Sequence, residues 1–259
     1  MLSIVIAFKS KDWAVIGADR RATVTMADGD TFSTKFDKLI GIGNNTLFGF
    51  SGDTENVNDL IILLRNNSSE LDRDLLGTLK KLRNEIRNID IDIQALFCGI
   101  TNNKIDMIEF IADKKNRRLS IESLHMDNDV VGETVMGLNT MNSKIIPYLE
   151  YINKTGQQIT MQDAEFLVYT AVADISDSGI LTVGSGIAIW EIKKDGDKAS
   201  MQQVPDSKIL DFFDSGYRLY RKKSTLAMDE ALKMLRGLTG TSAKESAIAP
   251  NLQYKDKAK

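Results

Sequence analysis

Cysteine and histidine are almost missing from this sequence: 259 residues contain one of each, Cys98 and His125. A single cysteine excludes an internal disulfide and fits a reducing compartment. Set in the apolar run Leu96-Phe97-Cys98, it reads as a small buried hydrophobe. The same scarcity leaves no ligand set for zinc. A Ser-His-Asp triad would have to use His125, which stands beside Asp127 and Asp129 in a polar stretch and reads as a surface residue. No apolar run reaches the length of a bilayer span, so no membrane partner is expected. The opening apolar stretch breaks at Lys9-Ser10-Lys11-Asp12, too early for a secretory signal, and a cytoplasmic location is the expectation. A net charge of −3 supplies no basic field, so nucleic acid is not an expected partner. Walker loops, dinucleotide glycine fingerprints and nucleophile elbows are also lacking, and Gly184-Ser185-Gly186 is too short for a phosphate loop. No cofactor and no metal are expected.

What the chain does have is ordinary globular content, 42% hydrophobic and 27% charged, in a recognisable order. Ser3 to Phe8 and Trp13 to Ala18 read as paired strands around a polar turn. A polar loop through Asp28-Gly29-Asp30 leads to a strand from Lys35 to Ile42, and Asn44-Asn45 turns into Thr46 to Ser51. Continuous apolar runs predict strands covered on both faces. Val57, Leu60, Ile61 and Leu64 repeat at helical spacing, with Asp53 or Thr54 as cap. Leu75, Leu79, Leu82 and Ile86 predict a second helix. Strands follow at Gln94 to Ile100, Asp106 to Ile111 and Leu119 to Glu122, and a segment from Val130 to Met136 looks extended. Helices are expected over Ser143 to Ile152 and Met161 to Ile175, the latter with a capping-box-like start at Thr160-Met161-Gln162-Asp163. Strands at Gly186 to Lys193 and Ala199 to Val204 flank a turn at Lys194 to Asp197. A helical stretch from Asp206 and a polar tail close the chain. Strands in runs separated by helix pairs predict an α+β fold, a four-layer αββα sandwich of two antiparallel sheets with extra C-terminal helices. The expected division is a main domain over 1–204 and a helical extension and tail over 205–259.

Chemistry concentrates in the N-terminal block. Ser3, Asp19 and Lys35 stand sixteen residues apart at strand ends. Taken alone, a serine near a terminus is ordinarily only a serine, and Asp19-Arg20-Arg21 is ordinarily a solvated turn. Together, Ser3-Ile4-Val5-Ile6-Ala7 and Ala14-Val15-Ile16-Gly17-Ala18-Asp19-Arg20-Arg21-Ala22-Thr23 resemble the opening of a proteasome β-type N-terminal-nucleophile (Ntn) hydrolase. In one gapless register the resemblance puts Ser3 on the nucleophile, Asp19 and Lys35 on the family's aspartate and lysine, and Gly49 on the oxyanion-hole glycine. It further implies that Thr23 and Gly49 pair with the substrate backbone, that Ala22, Ser33 and Leu47 line the pocket beside the scissile bond, and that Arg21, Asp177 and Ser178 support the site. The match to the supporting residues is loose, and Leu138 occupies the place of an earlier supporting serine.

The implied activity is peptide-bond hydrolysis. The Ser3 hydroxyl attacks a carbonyl, its own α-amine (ordinary pKa about 8) takes the proton, the Lys35 cation held by Asp19 lowers the hydroxyl's pKa, and the Gly49 N–H stabilises the oxyanion. This requires removal of Met1-Leu2, by autocatalytic cleavage after Leu2, where the family usually carries glycine. Expected partners are a peptide or unfolded-protein substrate and further copies of the chain in a homo-oligomer. Two alternatives stand beside the peptidase: a peptide ligase, since the opening block also resembles connectases, which carry an insertion before the lysine that the short interval from Asp19 to Lys35 lacks, and a non-catalytic assembly subunit.

Overall fold

The computed structural model describes residues 4–25, 31–52, 56–124, 131–135, 159–177, 186–196 and 198–209. They belong to the first of two compact units, Met1–Ser215 and Gly216–Lys259. The expected helix over 143–152, His125, and everything from 210 onward lie outside the described residues.

Strand β1 (Val5–Lys9) has five consecutive buried residues, VIAFK. Such a run needs cover on both faces, and it has it. β1 pairs antiparallel with β2 (Trp13–Asp19) and with β10 (Val131–Val135). β2 pairs with β11 (Ile187–Asp195), and β11 with β12 (Lys198–Gln203), giving the order β10-β1-β2-β11-β12. A second antiparallel sheet runs β5 (Leu39–Gly41), β6 (Thr46–Gly52), β7 (Asp92–Thr101), β8 (Lys104–Asp113) and β9 (Arg118–Ser123). Its β7–β8 turn is Asn102-Asn103, both residues at positive φ, the mirror-image turn that matches strand twist and that asparagine tolerates.

Alternation sorts the side chains into layers. Val5, Ala7, Ile16, Leu47, Leu96 and Cys98 point between the sheets and form one apolar cluster. Phe48, Phe50, Phe97 and Phe110 point the other way, against Leu60, Leu64, Leu75 and Leu79 of the helices outside the second sheet. Those helices are α1 (Val57–Asn66), α2 (Ser68–Leu71), α3 (Leu75–Lys81) and α4 (Arg83–Arg87). The N-cap of α1 is Asn56, without a side-chain cap bond, in place of the expected Asp53 or Thr54. The single helix expected from Leu75 to Ile86 is divided at Leu82. Helix α5 (Met161–Asp177) covers the first sheet. Its start is a reciprocal cap, with Thr160 N–H donating to Asp163 Oδ2 at 2.9 Å and Asp163 N–H to Thr160 Oγ1 at 3.2 Å. The architecture is the expected four-layer sandwich of two antiparallel sheets between helices. No helix among the described residues is long and apolar enough to cross a membrane.

Gly17 sets how closely α5 approaches. A Cβ there would lie 2.1 Å from Val168 Cγ1 and 3.3 Å from the Ala188 carbonyl oxygen. Gly17→Ala is expected to destabilise the fold by about 1–3 kcal/mol through overpacking, read as a lower midpoint in urea. An unchanged midpoint would refute this packing of α5 on β2.

The largest departure from expectation lies between Asp19 and Ile42. Arg21–Thr25 (β3) and Thr31–Lys35 (β4) form an antiparallel hairpin, with Thr23 opposite Ser33 and Arg21 opposite Lys35. The strand expected from Lys35 to Ile42 is therefore broken: β4 ends at Lys35, residues 36–38 are irregular, and β5 starts at Leu39.

Candidate active site

The hairpin break determines which lysine enters the protein. Phe36 N–H donates to the Arg20 carbonyl at 3.0 Å, and the Lys38 carbonyl accepts from Phe50 N–H at 3.1 Å. Residues 36–38 are thus tied to β2 on one side and β6 on the other. Lys35, at the base of the hairpin, is exposed. Lys38 turns inward, and its Nζ donates to Asp19 Oδ2 at 2.6 Å; the two side chains are 3% and 0% exposed. The lysine that pairs with Asp19 is Lys38, and the expectation for Lys35 is corrected on that ground.

Asp19 ends β2 and is a junction of three donors. Besides Lys38, its Oδ2 accepts from Arg21 N–H at 3.1 Å, and its Oδ1 accepts from Ile4 N–H at 3.0 Å. Three charge-assisted bonds offset the desolvation of a carboxylate with no exposed surface. Burial pushes the Lys38 pKa below its ordinary value, and the charge and hydrogen bond of Asp19 work against that shift. Ile4 N–H is the amide of the peptide bond from residue 3.

Arg20 anchors the other side of the junction. Its guanidinium is buried, with Nη1 3.2 Å from Asp206 Oδ1 and Nε 3.2 Å from Asp37 Oδ1; the Nε contact lacks hydrogen-bond geometry. Arg20 N–H donates to the Gly186 carbonyl at 3.0 Å. Asp37, next to Lys38, is thereby linked to α6 (Asp206–Lys208).

Two more expectations change. Gly49 lies inside β6, between Leu39 of β5 and Leu96 of β7. A Cβ on it would meet Leu39, Val5 and Ile16 within about 3 Å, so this glycine permits the two sheets to approach. Successive N–H groups of a strand point to opposite neighbours. Since Phe50 N–H goes to Lys38, Gly49 N–H faces β7 and is committed to the ladder side. Leu47 is fully buried between the sheets, opposite Gly41 and Cys98, in the apolar cluster that the two sheets share.

The same alternation identifies Gly52. Its N–H points to the side Phe50 N–H points to, one pleat further on, where β5 has already ended. Gly52 terminates β6 at φ +130°, and a Cβ there would collide with the Asp92 carbonyl oxygen at 2.3 Å, so the backbone requires glycine. Gly52 lies fourteen residues beyond Lys38, as Gly49 lies fourteen beyond Lys35. The signal available in the sequence was Ser51-Gly52-Asp53, a glycine between a strand and a helix.

Of the other expected site residues, Ala22, Thr23 and Ser33 stand on the β3–β4 hairpin. Arg21 is half-buried and joins the site through its N–H. Asp177 is the last residue of α5. Ser3, Ser178 and Leu138 lie outside the described residues.

No known family profile matches the sequence, and no curated protein matches it. Among solved structures, the eukaryotic HslV from Trypanosoma brucei superposes with a TM-score of 0.53 at 16% identity, covering 73% of this chain and 99% of that one. At that identity the likeness concerns the fold, and with the two sheets and their helix layers it leads to one statement: the chain has the αββα sandwich fold of proteasome-like Ntn hydrolases.

Proposed function

We propose that the protein is an N-terminal-nucleophile peptidase with Ser3 as nucleophile, Lys38 and Asp19 as its activating pair, and Gly52 as oxyanion donor. One observation carries this reading: the buried Asp19–Lys38 ion pair, hydrogen-bonded to the amide that follows Ser3. A lysine and an aspartate are removed from water together at large desolvation penalty. A structural salt bridge has no need of a third bond to the N-terminal segment. In the proposed reaction, Ser3 is exposed as the first residue by cleavage after Leu2. Its α-amine accepts the hydroxyl proton while Oγ adds to the substrate carbonyl. The Lys38 ammonium lowers the hydroxyl's pKa from close range, and the desolvation that depresses its own pKa strengthens that field. The Gly52 N–H stabilises the tetrahedral oxyanion. Collapse of that intermediate breaks the C–N bond, and the α-ammonium returns its proton to the departing amine. Water then adds to the Ser3 ester to release the acyl group as a carboxylic acid and restore the hydroxyl.

The test is the N-terminus itself. Intact mass and N-terminal sequencing are expected to show wild type beginning at Ser3 and Ser3→Ala retaining Met1-Leu2. Wild type retaining Met1 would overturn the peptidase reading in favour of a non-catalytic assembly subunit.

A ligase is the second reading, and the hairpin favours it. The interval from Asp19 to its lysine is three residues longer than the gapless register assumed, in the direction of the insertion that connectases carry there. Adding an acceptor peptide to the cleavage assay separates the two, since a ligase forms the joined product in preference to the hydrolysed one. Assembly into a homo-oligomer belongs to the same reading and is read from the solution mass by light scattering.

A further inference from the structure

The β8–β9 hairpin carries a feature with no role in the site above. Its turn places Arg117 at φ +52°, a left-handed conformation that glycine or asparagine occupies readily and that arginine adopts at an energetic penalty. Asp113 holds the turn, its carboxylate accepting from Asn116 N–H at 2.9 Å and Asn116 Nδ2 at 2.6 Å. The strained arginine stands on the rim of a half-open cleft of about 570 Å³ between the end of α4 and the start of β9. Arg87, Lys114 and Arg118 share that rim, while Ile89, Ile91 and Leu119 form an apolar floor. Asp90 bonds Lys114, and Asp113 is engaged by its own turn. Arg87, Arg117 and Arg118 are exposed and form no ion pair among the described residues. The cleft therefore combines an apolar base with a rim of net positive charge. The cations Arg87, Lys114, Arg117 and Arg118 stand against the carboxylates of Asp90 and Asp113, with Arg118 also acting on Glu109. This pattern is suited to carboxylate recognition beside apolar side chains.

Its location adds a direction. Gly52 is in register with Ile93, Ile93 with Ala112, and Ala112 with Leu119. This row crosses the sheet at one end, so the cleft opens about 14 Å from Gly52 at strand spacing. An extended peptide covers that distance in about four residues. We infer that the cleft is an exosite for the polypeptide substrate, holding a segment in which glutamate or aspartate alternates with apolar residues, about four residues from the bond being cleaved. That it serves a substrate rests on the peptidase reading; that it binds such a peptide does not.

The experiment is isothermal titration calorimetry of the Ser3→Ala chain with an unlabelled eight-residue peptide alternating glutamate and leucine. Binding is expected, with affinity about tenfold weaker in R87E/R117E, weaker again in high salt, and absent for the lysine–leucine counterpart. R117G serves as the second variant, because glycine suits φ +52° and the turn is retained; it too is expected to bind more weakly. Absence of binding, or equal affinity in wild type and R87E/R117E, overturns the exosite. If the peptide binds but wild type cleaves nothing, the peptidase reading falls and the peptide site stands.

Discussion

Lys38→Ala is expected to abolish both self-cleavage and peptide hydrolysis, by at least about 10²-fold, while Lys35→Ala leaves both within about twofold. The large effect has two parts. In the proposed chemistry Lys38 supplies the positive charge that favours the Ser3 alkoxide, and mutagenesis of such preorganised electrostatic groups typically removes about 10²–10³ of rate. Structurally, Asp19 is 0% exposed, and without Lys38 its carboxylate would keep only two amide donors. Breaking one partner from a buried pair costs about 3–5 kcal/mol, so Lys38→Ala is also expected to unfold at lower urea. The stability loss and the rate loss separate in a second variant. Replacing both partners, Asp19→Asn with Lys38→Met, removes the charges together and is expected to recover most of the stability and none of the activity. Lys35 is exposed, and surface substitutions of this kind fall within about 0.5 kcal/mol. Full activity in Lys38→Ala, or its loss in Lys35→Ala, would defeat the assignment.

The lysine also indicates where reading a sequence reaches its physical boundary. The β1–β2 hairpin and the Thr160–Asp163 cap were legible because each is local: two apolar runs around a polar turn, and a side chain reaching three residues along. Asp19 was legible as the end of an apolar strand. The distance from Asp19 to its lysine was not, since it runs through the β3–β4 hairpin, and hairpins absorb added residues at little energetic penalty because their tips face solvent. Counting residues across a loop assumes a length that packing does not enforce. The same count carried the oxyanion-hole role to Gly49. Its actual constraint is the contact with Val5 and Ile16 across the sandwich, which no local pattern expresses. Arg20 was passed over for a similar reason: its partners Asp37 and Asp206 are seventeen and 186 residues away.

Glu165→Gln is expected to stabilise the protein at alkaline pH by up to about 4 kcal/mol and to flatten its dependence of stability on pH. Glu165, on α5, is 1% exposed, and Lys208 Nζ lies 2.5 Å from its Oε2 and 3.5 Å from Glu191 Oε1. Gln202 Nε2 donates to Glu191 Oε2 at 2.9 Å. Among the described residues, one ammonium and one amide donate to these two buried carboxyl groups, and Glu165 Oε1 has no donor. A proton shared between the carboxyls meets the deficit. Burial, followed by the hydrogen bond to Glu191, raises Glu165 to about 8 against the opposing pull of Lys208, while Glu191 is held below its ordinary value by hydrogen bonds from Glu165 and Gln202 despite its burial. Between about pH 4.5 and 8 the folded chain thus keeps a proton that the unfolded chain has lost. Stability falls as pH rises through that window, by at most about 1.4 kcal/mol per unit. Glutamine keeps the shape and supplies an N–H donor to Glu191 at every pH. Wild type and variant are therefore expected to match near pH 5 and to diverge by pH 8.5, with the variant the more stable in urea melts. A variant less stable than wild type at pH 8.5 would mean that Glu165 is an anion in the folded state, held by Lys208 alone.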